Sequence, residues 1–168
     1  MRFGEIWLGA AAAGGLVAAI IVVSNRTEAR ASAAAATTAV AITAKPGDVI
    51  VYKSPTCGCC DGWIDHMRAA GFTVIERDTS DVGAVKHRLG VLPTLTSCHT
   101  AMIDGYVLEG HVPANDVTRL LQERPAIVGL AVPGMPAGSP GMESAQPWVS
   151  YDVVAFDANG RTRVFARH

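Results

Sequence analysis

The stretch DVIVYKSPTCGCCDGWIDHMRAAG, residues 48–71, decides how the rest of the chain is read. Asp48 to Ser54 is a short apolar run rich in β-branched residues, which predicts a buried strand. Trp63, Ile64 and Met67 then fall at i, i+1, i+4, the spacing of a helix face, and Gly71 ends the helix. Between strand and helix lies Cys57-Gly58-Cys59-Cys60, which holds all but one of the chain's 4 cysteines. Cysteines at i and i+3 on a helix's first turn share a face, and the unpaired N–H groups and positive dipole end there stabilise thiolates. The stretch is therefore built for soft-metal or thiol chemistry.

Downstream, Phe72 to Arg77 predicts a second strand, and Thr79-Ser80-Asp81 offers cap chemistry to a helix with Val82, Val85 and Leu89 on one face before Gly90. After a connector containing Pro93, Cys98 to Ile103 and Tyr106 to Val112 flank Asp104-Gly105, a dipeptide that favours a two-residue hairpin turn. Pro113 to Arg124 resumes helical spacing through Val117, Leu120 and Leu121, and Pro125 stops it. The sum is βαβα followed by ββα. That is the element order of a thioredoxin-like α/β fold, with a thiol motif between the first strand and its helix.

The turn also sets a register. With Asp104 and Gly105 as turn residues, Ile103 faces Tyr106, Met102 faces Val107, Thr100 faces Glu109 and Cys98 faces His111. The sequence-distant cysteine and an imidazole are thus expected together, beside the loop carrying the thiol motif. Beyond them, Val132 to Glu143 is a Gly/Pro-rich irregular loop holding Met135 and Met142. Trp148 to Phe156 and Arg161 to Arg167 form an added β-hairpin across Asn159-Gly160, extending or covering a sheet edge.

At the other end, Ile6 to Val23 is uncharged, follows Arg2, and leads to Ala29-Arg30-Ala31-Ser32. This pattern predicts an export signal cleaved after Ala31, with a single membrane anchor as its competitor. Residues 1–31 are read as leader or anchor, 32–45 as an Ala/Thr-rich flexible linker, 46–145 as the folded domain and 146–168 as its hairpin extension. Export places the domain outside the cytoplasm, where thiols oxidise unless a metal or redox partner holds them. With 14 Lys/Arg against 15 Asp/Glu, nothing supports a nucleic-acid partner.

Three uses compete for the cysteines. Structural disulfides fit poorly, because Cys59 and Cys60 are adjacent and poorly placed to staple separate elements, although a Cys57–Cys60 disulfide is feasible as a redox pair more than a staple. Thiol–disulfide exchange would use Cys57 as the attacking thiolate and Cys60 as the resolving one, but leaves Cys59 as a competing third thiol. A thiolate metal site turns that surplus to advantage. Several thiolates with nearby thioether and imidazole groups select Cu(I) most strongly and also admit Zn(II), and closely spaced thiolates can bridge several Cu(I) ions. His66, His87 and His168 are expected to be surface or uninvolved, Met102 to be core, and His99 to alternate away from Cys98.

The strings SPTCGCCDGW (Ser54 to Trp63), SCHTA (Ser97 to Ala101), GYVLEGHVPA (Gly105 to Ala114) and GLAVPGMPAGSPGME (Gly129 to Glu143) resemble the CopG-type copper-resistance proteins of the bacterial envelope. The resemblance covers about Val49 to Glu143 and implies a thioredoxin-like domain binding copper at a redox-capable multinuclear site. Carried over residue by residue, Cys57, Cys59 and Cys60 match the family's CxCC motif and Cys98 its additional cysteine. His111, Met135 and Met142 extend that ligand set as hypotheses of our own. The expectation is an exported copper-binding protein, holding Cu(I) or cycling it with Cu(II), acting alone or with other envelope copper-handling proteins. It would touch membrane only through an uncleaved N-terminus. A periplasmic thiol–disulfide oxidoreductase using Cys57 and Cys60 is the alternative.

Overall fold

A computed structural model describes residues 44–143 and 147–168; the expected leader and nearly all of the expected linker lie outside them. The chain runs β1 (Val49–Lys53), α1 (Gly58–Ala69), β2 (Val74–Asp78), α2 (Val82–Arg88), β3 (Thr100–Ile103), β4 (Tyr106–Glu109), α3 (Ala114–Glu123), β5 (Gly129–Ala131), β6 (Asp152–Phe156) and β7 (Thr162–Arg167). The βαβα-ββα order is present, with strands shorter than expected. All the described strands join one mixed, seven-stranded sheet in the order β2-β1-β3-β4-β5-β6-β7.

β1 is parallel to β2 and antiparallel to β3. In the β3–β4 hairpin Thr100 faces Glu109, Met102 faces Val107 and Ile103 faces Tyr106, the register the turn predicts. Asp104 and Gly105 both have positive φ (47° and 88°), as a tight turn matching strand twist requires.

Strand alternation sorts the core into two faces. On one, Val49 and Val51, Ala101 and Ile103, Leu108, Leu130, and Val153 and Ala155 pack with Trp63, Ile64 and Met67 of α1 and Val117 and Leu120 of α3. On the other, Val107, Ala131 and Phe156 pack with Val91 and Leu95. Met102, expected in the core, is only partly buried, because it lies on the second face near the sheet's turn end.

The terminal hairpin extends the sheet. Its attachment is β5, which sequence reading missed: three residues that pair in parallel with β4 and antiparallel with β6. Gly129 permits this closeness, since a Cβ there would run into the Val107 carbonyl.

Candidate metal centre

The cysteine loop becomes the start of α1. Cys57 is the N-cap residue, while Cys59 and the fully buried Cys60 lie in the first turn. Behind them Lys53, at the end of β1 and 4% exposed, places Nζ 3.0 Å from Asp61, 3.3 Å from Asp78 and 3.6 Å from Glu76. This ties the helix start to the strand ends. The hydrogen bond that Lys53 donates to Asp61 foremost holds the amine above its ordinary range.

Cys98 reaches the same place from the segment leading into β3, the strand beside β1. Buried Glu109 anchors its segment: it accepts from Ser97 N at 2.6 Å and Thr100 Oγ1 at 2.7 Å, and pairs with Lys86 Nζ at 2.5 Å. After Glu109, Gly110 has φ +70° and packs so tightly on Ser97 that a Cβ would collide with it. The ladder ends there, so the chain bends and His111 turns inward.

The Gly/Pro loop closes the third side. A Cβ on Gly141 would meet Trp63 N at 2.6 Å and Cys59 O at 2.7 Å, which shows how closely the loop lies on α1. Pro140 O accepts from His111 Nδ1 at 2.7 Å, and Gly134 N donates to Thr96 O at 3.0 Å.

These three segments bring the Sγ atoms of Cys57, Cys59, Cys60 and Cys98 within 4.8 Å of one another. Cys57 and Cys60 form a disulfide, and Cys59 and Cys98 are free. Cys59 Sγ lies 3.6 Å from Cys57 Sγ, 3.8 Å from Cys98 Sγ and 3.9 Å from Met135 Sδ. Cys98 Sγ lies 3.0 Å from His111 Nε2 and 3.2 Å from His99 Nδ1. Burial first, and then neighbouring Cys59, push the Cys98 thiol up to about 12. Burial lowers both His99 and His111, so neutral imidazoles line this edge.

The expected residues divide accordingly. Cys57, Cys59, Cys60, Cys98, His111 and Met135 converge. Met142 does not join them: its backbone closes turns with Gly138 and Ser139, and among the described residues its sulfur has no cysteine neighbour. His99, expected to point away, is fully buried at the site because β3 begins only at Thr100 and strand alternation does not reach it. His87 is exposed as expected. His66 is instead half-buried and accepts from Ala114 N at 3.0 Å, supplying an acceptor to the first turn of α3. Pro113 in the cap position of that helix has no side-chain acceptor, which was the available signal. His168 is engaged away from the cysteines, with Nε2 2.7 Å from Asp116 Oδ2 and its ring stacked on Tyr151.

Such a molecule is an α/β protein whose helix start gathers sulfur donors against buried imidazoles, a class suited to metal or thiol chemistry. Two solved structures, "Copper resistance protein copG" in forms 2 and 1, are each 47% identical to this chain and cover 74% of it. The matches span 99% and 98% of those chains, with TM-scores of 0.70 and 0.69. The chain belongs to the family of these copG copper resistance proteins. Residues 95–142 also match the family described as "Protein of unknown function, DUF411". No curated protein sequence matches.

Proposed function

We propose that this is an exported copper-binding protein of the bacterial envelope, built on a thioredoxin-like scaffold. In it, Cys57, Cys59, Cys60 and Cys98 hold Cu(I) for copper homeostasis or resistance. The convergence of four sulfurs, with Cys59 and Cys98 39 residues apart in sequence, carries this reading. A thiolate set of this density selects soft Cu(I) over Zn(II) and can bridge more than one ion. Met135 supplies a thioether at the exposed side and His111 an imidazole at the buried side, while Met142 is a weaker candidate on geometry. Full thiolate occupancy requires the Cys57–Cys60 disulfide to accept two electrons and two protons from a dithiol reductant, so copper loading follows reduction. Cycling between Cu(I) and Cu(II), exchange with other envelope copper-handling proteins, and membrane contact only through an uncleaved N-terminus complete the proposal.

The test is anaerobic loading of the reduced protein with Cu(I) in competition with a strong chelator. We expect at least one tightly held Cu(I) per chain and none after thiol alkylation. Copper that is stripped at once would overturn the reading. The disulfide favours a second reading: Cys57 is partly exposed and Cys60 fully buried, the arrangement of attacking and resolving thiols in an oxidoreductase. Trapping of a mixed disulfide by Cys60→Ser, with no retained Cu(I), would favour it.

A further inference from the structure

The charge pair of Lys86 and Glu109 is not explained by the core around it. Glu109 follows Val107 by two positions on β4, so it shares the face on which Val107 packs with Ala131, Phe156, Val91 and Leu95. Apolar side chains would extend that cluster without the cost of burying two charges. What Glu109 accepts explains the pair instead. Its Oε1 takes the Ser97 N–H at 2.6 Å and the Lys86 ammonium at 2.5 Å, its Oε2 takes the Thr100 hydroxyl at 2.7 Å, and Lys86 Nζ also donates to Thr100 Oγ1 at 3.0 Å. Each partner of the carboxyl presents a proton, so the arrangement closes only around a carboxylate. Among the described residues Lys86 is the one cation paired with it. Without that cation a fully buried charge would stand uncompensated, and Ser97 would lose its acceptor.

Ser97 divides its two donors between two segments. Its N–H goes to Glu109, one residue before Cys98, and its hydroxyl donates to the Gly134 carbonyl, one residue before Met135. Gly134 N–H returns to Thr96 O at 3.0 Å, which closes the clasp between the segments. Cys98 Sγ and Met135 Sδ both face Cys59 Sγ, at 3.8 Å and 3.9 Å. Two sulfurs that arrive from distant parts of the chain are thus held by the neighbours of one serine.

We propose that Lys86, acting through Glu109 and Ser97, is a positioning residue that fixes Cys98 and Met135 against the CxCC helix start, so that the metal affinity of the centre depends on a cation of α2 hydrogen-bonded to none of its sulfurs. The order of dependence follows from the bonds. The Lys86 cation keeps Glu109 a carboxylate, the carboxylate holds the Ser97 backbone and with it Cys98, and the Ser97 hydroxyl holds the Met135 segment. Loss of such outer partners weakens metal binding by about 10–100-fold, because ligands left loose must be ordered by the metal itself. The metal consequence rests on the copper reading above, whereas the placement of the two segments is a property of the protein without metal.

The experiment has two readouts on the full chain: amide hydrogen exchange by NMR without metal, and Cu(I) competition against a chelator after reduction. In Lys86→Met we expect the Ser97 and Gly134 amides to exchange at least about tenfold faster while the amides of β1, which follow global stability, change far less. Cu(I) affinity should fall at least about tenfold, and Lys86→Arg, which keeps the cation, should recover most of both effects. Should Lys86→Met not fold, Ser97→Ala carries the test: Gly134 should exchange faster with the amide of residue 97 still protected, and combining it with Met135→Leu should weaken Cu(I) binding no further than Met135→Leu alone. Exchange unchanged at Ser97 and Gly134 in folded Lys86→Met, a rise matched in β1, or unchanged Gly134 exchange in Ser97→Ala would overturn the inference, as would Cu(I) affinity indifferent to Lys86. Tight Cu(I) binding by wild type with exchange independent of Lys86 sinks only this inference; Lys86-dependent exchange in a protein that holds no Cu(I) sinks only the copper reading.

Discussion

At the residue scale the informative side chain is Cys98. It is the sulfur through which the CxCC helix start meets the two buried imidazoles, so Cys98→Ser should weaken Cu(I) binding about as much as Cys59→Ser, by at least about tenfold, or 1.4 kcal/mol, in a chelator competition. His66 provides the contrast. Its Nε2 accepts from Ala114 N, so His66→Ala should leave copper affinity unchanged while costing about 1 kcal/mol in chemical denaturation. Burial lowers His66 below its ordinary value of 6.5, so the unfolded chain takes up the proton first as pH falls. The stabilisation is therefore present above that value and declines as pH drops through the lower folded value, and the gap between wild type and His66→Ala should close on acidification. Cys57, Cys59 and Cys60 were legible as a chemical site from spacing alone. His99 was not, because its orientation depends on where the strand begins, and a ladder ending at Thr100 frees the preceding residues from alternation.

At the element scale the β3–β4 hairpin was readable because Asp104-Gly105 admits one tight turn, and a two-residue turn leaves one register. From that register alone Cys98 and His111 could be placed together. β5 escaped for the opposite reason. Gly129-Leu130-Ala131 has too few residues for a periodicity, and its strand state comes from hydrogen bonds to β4 and β6 that only the assembled sheet supplies. The Gly/Pro loop likewise read as irregular, while its glycines proved to be contact points. Gly141 has φ +83° and lies against Trp63 N and Cys59 O, so Gly141→Ala should push the loop off α1. We expect a loss of about 1–3 kcal/mol in denaturation and weaker Cu(I) retention, since Met135 and Pro140 lose their places; an unchanged melt would contradict the packing described here.

At the scale of the whole molecule the terminal hairpin is part of the same sheet and core. Val153, Ala155 and Phe156 are at most 1% exposed. Removing residues 147–168 would withdraw these side chains and uncover the edge of β5, a loss of about 5 kcal/mol from apolar burial alone against a total stability of about 5–15 kcal/mol. The truncated chain should therefore melt at much lower temperature, or without a cooperative transition, by circular dichroism. Retention of the wild-type melt would show that the hairpin only decorates the sheet.

What the sequence determined by itself was local: strand and helix periods, the turn at Asp104-Gly105, and the three cysteines at a helix start, each set by residues within a few positions of one another. What only the tertiary structure decided was convergence. The burial of His99, the cap from His66 to Ala114, the seat of Gly141 on α1 and the pairing of β5 all join segments distant along the chain. Such contacts depend on the packing of side-chain volumes and on completing buried hydrogen bonds across the whole sheet, quantities that no local pattern carries.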